Sequence, residues 1–67
     1  MTITLNNRKE TFDTGPLTIT DILHIKSFRF KMLVIKLNGA LIAKELYDST
    51  LVKEGDTLDV IHLISGG

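Results

Sequence analysis

A chain of 67 residues with no cysteine must hold itself together on one hydrophobic core. That length is near the lower limit at which a domain folds without disulfides, metal or a partner. The missing thiols also exclude a disulfide framework, a thiolate metal site and a cysteine nucleophile. Apolar residues make up 43% of the chain, enough for a packed core and too many for a disordered segment. Eight basic and eight acidic side chains cancel, so no strong field draws the chain to nucleic acid or an anionic membrane. No run of about 18 apolar residues spans a bilayer and the start has no signal-peptide pattern, so the expected location is cytoplasmic.

The order of local signals is that of a small α+β domain. Thr2-Ile3-Thr4-Leu5 alternates polar and apolar residues at strand spacing, Asn6-Asn7 is turn chemistry, and Arg8 to Phe12 reads as the return strand. Asp13-Thr14-Gly15-Pro16 breaks the pattern. Thr18-Ile19-Thr20-Asp21 fits a capping box, and a helix from about Ile19 to Ser27 puts Ile19, Ile22, Leu23 and the Lys26 stem on one stripe. Met32 to Leu37 is rich in strand formers. Asn38-Gly39 then marks a type I′ hairpin, with Ala40 to Ala43 returning. Lys44 to Val52 is irregular, with one short helical turn expected near Leu46-Tyr47. Glu54-Gly55-Asp56 is a turn, and Thr57 to Ile64 is a last strand. The economical fold for ββαββ plus a final strand is a sheet of about five strands with one helix on one face, forming a single domain over 1–67.

The last residues are Ser65-Gly66-Gly67. A Gly-Gly end carries no side chain to shield its carboxylate and can lie extended in a narrow cleft. The alternative is a frayed end, which glycine also tolerates. A flexible tail over 65–67 is expected on either reading.

These features together resemble the β-grasp sulfur carriers, a ubiquitin-like family, and most closely the ThiS-type carriers of thiamin biosynthesis. The resemblance rests on the first hairpin, the capped helix, Leu37-Asn38-Gly39, Gly55-Asp56 and the terminal Gly66-Gly67, and it covers the whole chain. The related molybdopterin carriers tend to be longer and to have prolines where this chain has His62-Leu63-Ile64-Ser65, which favours the thiamin branch. The resemblance implies a mixed β-grasp sheet and a carrier that is not itself an enzyme. It implies that the Gly67 carboxylate is adenylated by an E1-like, ThiF-like adenylyltransferase and converted to a thiocarboxylate, with Gly66 as the slender neck and Ser65 completing the tail. A ThiG-like thiazole synthase would then accept the sulfur. No cofactor is expected on the carrier, since ATP is used by the activating enzyme, and the chain has no G-x-x-x-x-G-K-[ST] loop. Carriage of sulfur for molybdopterin or another metabolite, protein modification of the ubiquitin type, and a β-grasp binding module with no terminal chemistry remain the alternatives.

Alternation also phases the sheet. With Leu58, Val60, Leu33, Ile35 and Leu37 facing the helix, Ile61, Leu63, Val34 and Met32 point the other way and form an apolar partner-docking patch near the tail. Coverage of that patch by edge loops or self-association, or an inverted phase, is the competing account. His24 and His62 lack the companions of a metal site, and Asp56 and Asp59 read as turn and surface charges. Phe28 and Phe30 read as core plugs beside Arg29 and Lys31, not as a nucleic-acid surface, and Tyr47 as a structural residue of the long loop.

Overall fold

In the computed structural model, Asn6 and Asn7 both take positive φ, 50° and 67°, between antiparallel strands β1 (Thr2–Leu5) and β2 (Arg8–Thr11). Residues 1–29 and 32–63 are the ones the structure describes. The second hairpin repeats the device. Asn38 at φ 51° and Gly39 at φ 84° join β4 (Leu33–Leu37) to β5 (Ala40–Ile42). Asparagine and glycine tolerate this left-handed region, and a type I′ turn matches the twist of its flanking strands.

Between the hairpins, Leu17–Thr18 forms a two-residue strand, β3, and runs directly into helix α1 (Ile19–Ile25). The capping box is complete: the Asp21 N–H donates to Thr18 Oγ1 at 3.0 Å and the Thr18 N–H to Asp21 Oδ2 at 3.2 Å. The helix stops two residues before the expected Ser27. Ser27 takes φ 57°, its N–H donates to His24 O at 3.1 Å, and the Phe28 N–H donates to Leu23 O at 2.9 Å. Those two bonds make a Schellman end, with serine where glycine is usual.

The segment after β5 is more ordered than expected. A 3₁₀ turn spans Lys44–Leu46, slightly earlier than anticipated, and β6 (Leu51–Val52) pairs antiparallel with β3. The last strand, β7 (Thr57–His62), lies at the centre of the main sheet, whose order is β2-β1-β7-β4-β5. It runs parallel to β1 and antiparallel to β4, so the sheet is mixed.

The core lies between this sheet and the helix. Ile19 and Ile22 from α1 meet Ile3, Leu5, Ile35, Leu58 and Val60 from the sheet, with Phe12 and Val52 closing the sides. Phe28 and Tyr47 are partly buried against this cluster, as plugs would be, whereas Phe30 and Lys31 lie outside the described residues.

Candidate docking face and C-terminal tail

Strand register decides which residues share the face away from the helix. Ile35 pairs with Val60 and Leu37 with Leu58, and these point into the core. Val34 and Ile61, directly opposite each other, therefore lie on the outer face, as do the paired positions Lys36 and Asp59. Ile61 is 42% exposed.

Leu41 extends this outer patch, a contribution not anticipated from the chain. It pairs with Lys36 across β4 and β5 and is 68% exposed. Alternation within Ala40–Ile42 could have revealed it, because buried Ile35 opposite Ile42 leaves Leu41 on the other side.

Met32 and Leu63 sit differently. They lie one residue beyond the ends of β4 and β7, where strict alternation lapses, and the Leu63 N–H donates to Met32 O at 3.0 Å. Both line a hollow of about 520 Å³ that opens on the helix side, with Leu23, Phe28, Leu33 and Tyr47 among its other walls. The four apolar residues expected on one patch thus divide. Val34 and Ile61 occupy the outer face, and Met32 and Leu63 mark the end of the sheet from which the chain leaves.

Two polar devices hold β7 in place. Asn6 Oδ1 accepts from the Val60 N–H at 2.8 Å, just beyond the end of the β1–β7 pairing. At the other end, Asn38 Oδ1 accepts from the Thr57 N–H at 2.8 Å, and Asn38 Nδ2 donates to Asp56 Oδ1 at 3.2 Å. Asp56 Oδ2 also takes the Lys53 N–H at 2.8 Å. The Asn38-Gly39 and Gly55-Asp56 motifs, well apart in sequence, are therefore one structural unit. Asp56 works as a turn carboxylate in this arrangement.

His24 is exposed on α1 and lines the hollow, while His62 is paired in register with Leu33 on β4. Among the described residues no group of three or more His, Cys, Asp or Glu side chains is placed to hold a metal. Tyr47 is, among the described residues, the one group whose ionisation is shifted: burial first, and the neighbouring Glu45 charge second, raise its phenol above the usual 10.0. Among the described residues no helix is long and apolar enough to cross a membrane. Ser65, Gly66 and Gly67 lie outside the described residues.

A mixed five-stranded sheet gripping one short helix, with the final strand central, defines the ubiquitin-like β-grasp class of α+β proteins. Residues 2–67 match the model of the ThiS family, and the chain belongs to that family. It is 31% identical over 55 residues to the sulfur carrier protein ThiS of Bacillus subtilis, covering 82% of this chain and 80% of that one. The crystal structure of thiamine biosynthesis protein ThiS from Geobacter metallireducens superposes with a TM-score of 0.86 at 30% identity over the full length of both chains. An NMR solution structure of a thiamine biosynthesis protein from the same organism gives a TM-score of 0.82 at 29% identity, covering all of this chain and 88% of that one.

Proposed function

We propose that this chain is a sulfur carrier of thiamin biosynthesis that bears its sulfur on the carboxyl group of Gly67. The observation that carries the reading is the match to the ThiS family over residues 2–67, which takes in the terminal Gly66-Gly67. A carboxylate is a poor electrophile, so it must first be activated. One of its oxygens attacks the α-phosphorus of ATP on an E1-like enzyme, pyrophosphate leaves, and Gly67 becomes an acyl-adenylate. Hydrosulfide then attacks the acyl carbon and AMP departs, leaving a thiocarboxylate. With a persulfide donor the first product is an acyl disulfide, which a thiol cleaves to the thiocarboxylate as that thiol is oxidised to a disulfide. That thiocarboxylate is a strong nucleophile tethered to a protein address, suited to a thiazole synthase as acceptor.

The carrier is a co-substrate in this scheme and supplies no catalytic side chain. Its β-grasp body is the handle: Val34, Ile61 and Leu41 on the outer face dock the activating and accepting enzymes. Met32 and Leu63 flank the exit of the tail. Gly66 allows the last residues to lie in a cleft too narrow for a side chain.

Intact mass of the purified chain after incubation with Mg-ATP, a sulfur source and host-cell extract tests the reading. A gain equal to the replacement of one oxygen by sulfur, localised to Gly67 and absent without ATP, is the expected result. Conjugate ladders on a denaturing gel, or no gain while a control carrier is loaded, would reject it. Gly66→Trp should fold normally and fail to load; normal loading of that variant would refute the narrow-cleft argument.

A further inference from the structure

Asn38 is followed by Gly39, and this pair is the least hindered setting for an asparagine side chain to react with its own backbone, because glycine has no Cβ. In that reaction the Gly39 amide nitrogen, on losing its proton, attacks Cγ of Asn38. A C–N bond forms, the Cγ–Nδ2 bond breaks, and ammonia leaves a five-membered succinimide. Water then opens either carbonyl of the ring to give aspartate or isoaspartate. The net change consumes one water, releases one ammonia and needs no oxidant or enzyme.

We infer that Asn38 is a latent deamidation site which the fold holds shut by tying its side chain to the turn before β7. One backbone and two side-chain hydrogen bonds hold Asn38 there. The Asn38 N–H donates to Thr57 O at 2.7 Å, Oδ1 accepts from the Thr57 N–H at 2.8 Å, and Nδ2 donates to Asp56 Oδ1 at 3.2 Å. Asp56 is itself held by the Lys53 N–H. The protection comes from geometry and not from burial, since Asn38 is exposed and water reaches it freely. Reaction requires Oδ1 and Nδ2 to give up Thr57 and Asp56 so that Cγ is free to meet the Gly39 nitrogen.

The consequence bears on the sheet. A carboxylate at position 38 would lose the Nδ2 donor and stand against the Asp56 carboxylate at the same short separation. An isoaspartate would also lengthen the backbone inside a two-residue turn. Either product weakens the clamp between the β4–β5 hairpin and the start of β7, so deamidation would be a route by which the folded chain ages.

Peptide mass mapping that resolves aspartate from isoaspartate, after incubation of the full chain at mildly alkaline pH, reads this directly. An ordinary hydrogen bond biases a population about fivefold, so the two side-chain bonds together predict deamidation roughly 25-fold slower in folded protein than in guanidinium. Asp56→Ala should raise the folded rate about fivefold, and Asp56→Asn, which keeps an oxygen acceptor, by less. Asn6 and Asn7, followed by residues with side chains, serve as slow internal references. Equal rates in folded and unfolded chain would overturn the inference. So would an unchanged rate in Asp56→Ala shown by circular dichroism to be folded. Should that variant unfold, the folded-against-unfolded comparison of the unmutated chain still decides.

Discussion

Replacing Ile61 with aspartate separates a docking role from a structural one. Full burial of an isoleucine side chain is worth about 1.5–3 kcal/mol, and 42% of Ile61 is still exposed in the free chain. A partner covering it can therefore gain about 0.6–1.3 kcal/mol, roughly threefold to ninefold in Kd, and Ile61→Ala should cost less than that ceiling. Ile61→Asp adds the burial of an unpaired carboxylate, which costs several kcal/mol, so binding should fall about 100-fold or more. The fold should tolerate it. The lost cross-strand pair with Val34 is worth about 0.2–1 kcal/mol, a fall in Tm of at most about 4–8 °C. Calorimetric titration against the activating enzyme, with a thermal melt of each variant, makes the measurement. Ile25, 55% exposed on the helix, is the control: Ile25→Asp makes the same chemical change away from the outer face and should leave affinity unaltered. A folded Ile61→Asp that binds as tightly as the unmutated chain would refute the docking assignment.

Three further outcomes follow from the geometry. Thr18→Ala removes the acceptor for the Asp21 N–H and should destabilise the chain by about 1 kcal/mol in denaturant titration, while Thr18→Ser keeps most of the stability. Ile22→Ala at a fully buried site should cost about 2–5 kcal/mol, a large share of the roughly 3–10 kcal/mol available to a domain of this size, and collapse the urea midpoint. Tyr47, the only tyrosine, should ionise above pH 10 when followed by ultraviolet absorbance. Because the folded state holds that proton more tightly than the unfolded one, its contribution is intact below pH 10 and is lost as pH rises through the folded pKa. Glu45→Gln should lower that pKa only in part, since burial is the larger cause.

Features written in short, local patterns were legible in the chain. Thr18 and Asp21 are three apart and their reciprocal bonds are local, so the helix start could be placed. Asn38-Gly39 needs only its own backbone to declare a turn. The helix end was harder to place, because Ser27 occupies a left-handed position that serine does not advertise. β3 and β6 have two residues each, too few for any period to show, and they exist because Leu17 and Val52 are brought together across the fold. The link between Asn38 and Asp56 is likewise long-range. Each motif could be read alone as a turn, but only the strand order brings them into hydrogen-bonding distance. The apolar patch was phased correctly where strand pairing continues, at Val34 and Ile61. Beyond the strand ends, at Met32 and Leu63, period-two reasoning has no physical basis.

The mismatch in length between helix and strand gives the carrier body its polarity. Seven helical residues reach about 10 Å, whereas the six residues of β7 reach about 20 Å. The helix therefore covers only part of the strand. Leu58 is wholly buried and Val60 nearly so, but His62, the next residue of the same alternation, is exposed. Near its end β7 is thus uncovered on both faces, with Ile61 on one side and the hollow bounded by Leu63 on the other. A longer helix would bury more apolar surface and stabilise so small a core, yet it would also fill the hollow and thicken the body where the tail departs. The early Schellman end at Ser27 prevents this by turning the chain back through Phe28 onto the core. On the proposed function, that economy serves delivery: the end of the sheet remains slender enough for the last glycines to enter a partner's cleft, while the wide outer face stays free to be held.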